Sequence, residues 1–190
     1  MKGYAHKNNR YYFFPPKNMS TLHEPASAAV AIIRSLAPLE SILILRRNHH
    51  PGDPWSGHFS FPGGRKEGKD LDLLSTCIRE TREETGILLD ADNLQQRLPP
   101  EPAGRIFHSH LWVAPFLFTV SVPPSLTLCR KEIQGAYWLS VKQFKDIELH
   151  KNVEMLPGQI FPTYPLDDYY LWGFTYRLLK TVLFPDNKQK

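Results

Sequence analysis

Residues 61–87, FPGGRKEGKDLDLLSTCIRETREETGI, join a Gly-Gly turn to an amphipathic run that carries Glu80, Glu83 and Glu84. On a helix each residue advances about 100°. Glutamates at i, i+3 and i+4 then lie within roughly 60° of Glu80, on one face. Like charges so placed repel one another and destabilise a bare helix. A hard divalent cation reverses that penalty, because it prefers oxygen ligands and retains water and phosphate oxygens. Leu74, Ile78, Thr81 and Thr85 project about 120° away and form the expected core face. Arg79 lies on the other flank of the carboxylates, where it can orient or neutralise them. Gly63 and Gly64 allow a close backbone approach. Asp70 or Asp72 is expected to cap the helix, and Gly86 to end it with a positive φ.

Upstream of the turn, Ala26–Arg34 is small and β-branched and reads as a strand. Ser41–Arg46 (SILILR) reads as a second one, apolar throughout, as in a sheet covered on both faces. The two form an expected antiparallel hairpin. The loop RNHHPGDPWSGHFS, residues 47–60, follows. Arg46, Arg47, His49, His50 and Arg65 are its candidate phosphate contacts.

Downstream, Ile87–Leu89 is expected to restart as a strand and Ala91–Gly104 to be a connector. Arg105–Ser121 is strand-rich around Pro115, with His108 and His110 on one face as a loop or strand-edge feature. Leu126–Leu139 ends in an aromatic-rich strand preceded by Glu132. Ser140 caps a short helix, Val153–Pro165 reads as a proline-rich loop, and Asp167 or Asp168 starts the last helix.

The acidic triplet sits in R-E-x-x-E-E-x-G-apolar, after F-P-G-G. This resembles the Nudix hydrolase box, G-x5-E-x7-R-E-U-x-E-E-x-G-U with U apolar. Gly64, Arg79, Glu80, Glu83, Glu84, Gly86 and Ile87 match it. Asp70 stands where the family has Glu, one extra residue separates it from Arg79, and Thr81 takes an apolar position. The longer spacing, the strand ending in L-x-L-R-R and the run S-G-x-x-x-F-P-G-G-R resemble the coenzyme A pyrophosphatase branch. W-G-x-T-x-R from Trp172 to Arg177 is similar to that branch's closing helix. Trp55 and His58 differ from the branch's usual His and Gln.

The resemblance covers about Ala26 to Leu183 and implies an α+β Nudix fold, an α/β/α sandwich around a mixed β-sheet. It implies Mg²⁺ or Mn²⁺ on Glu80, Glu83 and Glu84, with Arg79, Glu83 and Glu132 as catalytic residues. Either Glu83 or Glu132 would be the base. Arg46, Arg47, Gly63, Gly64 and Arg65 would bind substrate. The implied reaction is hydrolysis of a nucleoside diphosphate linked to another moiety. Coenzyme A or an acyl-CoA would give adenosine 3′,5′-bisphosphate and a 4′-phosphopantetheine. The alternatives are a dinucleotide, nucleotide sugar or NTP as substrate, or a nucleotide-binding sensor without catalysis.

The totals fit one domain. The 190 residues suffice for a sizeable core. Residues 26–184 are expected to form it, with an extension at 1–25 and a tail at 185–190. The extension either packs its aromatics Tyr11–Phe14 on the domain or on a partner chain, as in a homodimer, or is an upstream addition. No apolar run approaches the ~18 residues of a membrane span, and no secretory signal is apparent. Two cysteines make no disulfide framework, so a reducing cytoplasm is expected. The net charge of +4 suits an anionic small molecule, but the basic residues are scattered rather than massed for nucleic acid.

Overall fold

The small run Ala28–Ser35 forms β1 and the apolar run Ser41–Arg47 forms β2 in the computed structural model, which describes residues 26–53, 55–104 and 111–185. The two strands pair antiparallel as expected, but only at the closed end of the hairpin, Arg34 with Ile42 and Ser35 with Ser41. Beyond it they part. β3 (Phe59–Ser60) takes the freed edge of β2, and β4 (Gly63–Arg65) takes that of β1 from Ala28 to Val30. The Gly-Gly segment is thus a wedge within the sheet.

On its other edge β1 runs parallel to β7 (Leu111–Val120) along its whole length. β5 (Leu94–Arg97) and β6 (Glu101–Ala103) share the far edge of β7. Pro115 falls in the gap between them, where its missing N–H breaks no ladder, and its carbonyl accepts from the Leu98 amide at 3.0 Å. β8 (Ile133–Ser140) lines the outer edge of β2. The result, among the described residues, is a mixed eight-stranded sheet.

Alternation along the strands gives the sheet two apolar faces. Ala29, Ala31, Ile33, Leu43, Leu45, Phe116 and Phe118 pack with Cys77 of α1 (Leu73–Thr85). Ile32, Ile42, Ile44, Leu117 and Leu139 pack with Leu178, Leu179 and Leu183 of α3 (Gly173–Leu183). Helices on both faces of a mixed sheet are the expected α/β/α sandwich. The second face also carries α2 (Val141–Lys145), capped by Ser140 as expected. Beside it lies a three-stranded sheet of β9 (Lys151–Leu156), β10 (Gln159–Leu166) and β11 (Tyr169–Leu171).

That small sheet replaces the proline-rich loop expected over 153–165. Pro162 pairs only toward β9 and Pro165 only toward β11, so each half of β10 has a free edge that tolerates proline. The last helix does not start at Asp167 or Asp168. These form the β10–β11 turn, and the helix begins after Trp172, which makes no side-chain cap. Ile87 and Leu89 are buried in the first apolar face without forming a strand. The connector after them holds β5 and β6. The buried face of α1 comprises Thr76, Cys77, Thr81, Glu84 and Thr85, while Leu74 and Ile78 are only half-buried. The helix is therefore rolled further toward its glutamates than its apolar positions suggest. Residues 1–25, Ile106, Phe107, His108 and His110 lie outside the described residues. Among the described residues no helix is long and apolar enough to cross a membrane.

Candidate active site

The site grows from the packing of α1 against the wedge. Asp72 caps the helix: its carboxylate accepts from the Ser75 amide at 2.8 Å, and the Ser75 hydroxyl accepts from the Asp72 amide at 3.0 Å. Gly86 ends it at φ 75°, its amide donating to the Arg82 carbonyl. Thr81, at the position that is apolar in the box, satisfies its hydroxyl on the Cys77 carbonyl at 2.8 Å.

Asp70, a candidate cap, has a different task. It is 7% exposed, and both its oxygens receive the Arg79 fork, from Nε at 2.8 Å and Nη2 at 2.9 Å. The Glu67 amide and the Thr76 hydroxyl complete its shell at 2.8 and 3.0 Å. The Arg79 fork, with these further donors, holds the Asp70 carboxyl well below the usual carboxylate range. Arg79 keeps one nitrogen for the acidic face: Nη1 is 2.9 Å from both Glu80 and Glu83. Asp70, Glu80 and Glu83 together hold Arg79 all the more firmly in its charged form.

The wedge completes the cradle. Glu84 is 3% exposed, and its Oε2 accepts from the Gly63 amide at 2.9 Å. Burial pushes its carboxyl up to about 8, with Glu80 and Glu132 adding to the effect and the Gly63 amide and Arg47 opposing it. Glu80 lies against Gly64, where a β-carbon would stand 2.5 Å from its carboxyl group. Burial raises Glu80 as well, against the pull of Arg79. Glu83 is exposed and lies on Arg79.

Among the described residues no three His, Cys, Asp or Glu side chains form a complete metal site. The donor chemistry nevertheless suits a hard divalent cation: hard carboxylates, one of them buried against the Gly63 amide, facing a notch that only glycine leaves open. Glu80 and Glu84 would hold such an ion, and Glu83 would join them by turning from Arg79.

Strand alternation separates the two arginines at the end of β2. Arg47 is on the face of α1, where its charge reaches Glu84. Its Nη2 pairs with Asp53 at 2.8 Å, while its buried Nε has no partner among the described residues. Arg46 is on the opposite face and is not brought to the glutamates. It lies over Phe59 and Tyr169 at 5.1 and 5.2 Å, donates to the Gly57 carbonyl at 3.0 Å and pairs with Asp168. Arg65 is exposed on β4, with its carbonyl 3.4 Å from Arg79 Nη2. Glu132 sits in the turn before β8, and its charge reaches Glu80 and Glu84. His50 Nε2 donates to the Lys131 carbonyl at 2.8 Å.

The NUDIX domain model matches residues 24–162. The chain belongs to the Nudix family of pyrophosphohydrolases. In this Nudix chain α1 and the Gly-Gly wedge are the two halves of the box. An uncharacterised protein of Schizosaccharomyces pombe, C14C4.10c, is 32% identical over 103 residues, 51% of this chain but 31% of that one. The uncharacterised Nudix hydrolase NudL of Yersinia pestis is 24% identical over 159 residues, 80% of this chain and 76% of NudL. The MutT protein of Methanosarcina mazei Go1 shares the fold at a TM-score of 0.55 and 20% identity, over 89% of this chain and all of that one.

Proposed function

We propose that the chain hydrolyses the diphosphate linkage of a nucleoside diphosphate joined to another moiety, with coenzyme A and its thioesters as preferred substrates. The observation that carries the reaction is Glu84, a buried carboxylate held by the Gly63 amide, beside Glu80 in a glycine notch. The strand ending in Arg46-Arg47 and the spacing from Gly64 to Arg79 support the substrate.

Mg²⁺ or Mn²⁺ held by Glu80, Glu83 and Glu84 would supply neutralisation of the phosphate oxygens and a more acidic water. The chain does the rest. Gly63 fixes Glu84 through its amide, and Gly64 makes room for Glu80. Arg79, anchored on Asp70, sets the position of the outer carboxylate. Arg47 and Arg65 are the donors available to phosphate oxygens. Water attacks one phosphorus, the bridging P–O bond breaks, and a carboxylate takes the proton. Glu83 already accepts from Arg79 and is the carboxylate that would turn to the cation. Glu132, exposed and within electrostatic reach of the pair, is the better acceptor.

The test is a panel of coenzyme A, NADH, ADP-ribose and dNTPs with Mg²⁺ and with Mn²⁺, products identified by mass. Coenzyme A should be turned over fastest, giving adenosine 3′,5′-bisphosphate and 4′-phosphopantetheine. Faster turnover of another member overturns the substrate. No turnover of any, by folded protein, overturns the reaction.

A further inference from the structure

Glu132 does not sit in a free loop. The segment before β8 is bonded to the end of α1: the Thr127 amide donates to the Thr85 carbonyl at 2.8 Å, and the Cys129 amide to the Glu84 carbonyl at 2.9 Å. On its other side it is bonded to the loop leaving β2. The Asn48 amide donates to the Glu132 carbonyl at 2.7 Å. The Asn48 side-chain amide reaches the Arg130 carbonyl at 2.6 Å and the Lys131 carbonyl at 3.3 Å. His50 Nε2 meets the Lys131 carbonyl at 2.8 Å, and since a carbonyl can only accept, that nitrogen carries the proton. His50 is itself fixed, its amide on the Ser56 hydroxyl at 2.9 Å and its carbonyl accepting from that hydroxyl at 2.8 Å. Two side chains thus grip the carbonyls of Arg130 and Lys131, and the Asn48 backbone amide holds the next one, of Glu132.

The strand is adapted to this grip. Arg46 pairs with Gly135 but Arg47 pairs with Ile133, so Gln134 is an extra residue, a β-bulge. Arg130 Nη1 donates to the Gln134 carbonyl at 3.0 Å and so ties the bulge to the gripped turn. A bulge bends its strand and re-aims the side chains beside it. Here it stands two positions from Glu132, opposite the strand end that carries Arg47.

We propose that Asn48 and His50, acting on this bulged turn, are positioning residues that hold Glu132 at the water-facing side of the glutamate pair. The inference rests on Glu132 as proton acceptor. It goes beyond that reading by assigning the loop after β2 a part in the hydrolytic step, not only in binding substrate.

The experiment is steady-state kinetics on whichever of coenzyme A, NADH, ADP-ribose and dNTP is turned over fastest. The variants are Asn48→Ala/His50→Ala, Asn48→Asp, His50→Gln and Glu132→Gln, and the double substitution repeated in the Glu132→Gln background. The Glu132→Gln variant should lose at least about 100-fold in kcat. The double variant should lose about tenfold or more in kcat, with KM within about twofold, because a misplaced group costs the reacting step. In the Glu132→Gln background it should cost less than about twofold, since there is no carboxylate left to misplace. His50→Gln, which keeps a donor of similar reach, should restore most of the rate. Asn48→Asp, nearly isosteric but without the donor, should not, and it carries the test if the double variant fails to fold. Equal losses in both backgrounds, or an unchanged kcat, overturn the inference while Glu132 stands. Full activity of Glu132→Gln, or no turnover across the panel, overturns the parent reading instead.

Discussion

Gly63 and Gly64 are neighbours with different reasons for being glycine. Gly63 has φ 148°, and a β-carbon there would meet the Ala29 carbonyl oxygen at 2.2 Å, within the backbone of β1. Nothing flexible can yield. Gly63→Ala should therefore cost more than about 2 kcal/mol in a urea melt. At Gly64 the obstacle would be the end of the Glu80 side chain, at 2.5 Å. That side chain can swing away, so Gly64→Ala should keep its stability within about 1 kcal/mol. It should lose at least about tenfold in Mn²⁺ affinity by calorimetry, because the displaced carboxylate is one of the proposed ligands. Equal affinity would remove Glu80 from the metal site. Arg79 allows a similar separation. Lysine keeps the charge but cannot form the fork on Asp70 while reaching Glu80 and Glu83. Arg79→Lys should lower kcat at least about tenfold, with the far-ultraviolet circular dichroism unchanged.

At the scale of elements, α1 depends on its first turn. The capping box of Asp72 and Ser75 satisfies donors that no earlier residue can reach. Asp72→Ala should cost about 1 kcal/mol, read from the urea midpoint at constant slope. This helix and the β1–β2 pair were legible because period and punctuation agreed: Asp72 before the run, Gly86 after it, and unbroken apolar residues in β2. Asp70 was not legible as an anchor, because a carboxylate just before a helix looks like a cap whichever residue it bonds. The β9–β11 sheet was hidden by Pro157, Pro162 and Pro165. Pro157 lies in the β9–β10 turn, while the compatibility of Pro162 and Pro165 with β10 depends on which edges are free, a property of the pairing rather than of the residues. Arg46 and Arg47 were grouped as one basic pair, although strand alternation alone assigns them to opposite faces. The grip of Asn48 on the turn before β8 joins residues more than eighty positions apart, and no local pattern announces it.

For the whole molecule, the acidic site should couple stability to pH and to metal. The Glu84 carboxyl is raised to about 8 in the folded protein from an ordinary 4.5. Glu80 is shifted in the same direction. Between about pH 4.5 and 8 the folded state thus holds protons that the unfolded chain releases. Without metal, stability must fall as pH rises through that window and level off above it. Asp53, Asp70 and Asp72 are shifted downward, so their contribution is lost only on acidification below the ordinary carboxylate range. His58, which burial lowers from its ordinary 6.5, titrates in the same region with the opposite sign, its contribution complete once the unfolded imidazole is neutral, so the fall between about pH 6.5 and 8 is the part that reports the glutamates. In EDTA the Tm should drop by at least about 5 °C across that range. A divalent cation binds the ionised carboxylates of the folded state and adds stability in proportion to the logarithm of its excess over Kd. With millimolar Mn²⁺ the drop should vanish or reverse. Glu84→Gln should remove most of the EDTA slope and most of the Mn²⁺ response together, since the same buried carboxylate contributes the larger part of both. A variant that flattened the first but kept the second would show that the cation is held elsewhere, and that the burial of Glu84 beneath Gly63 serves the fold alone.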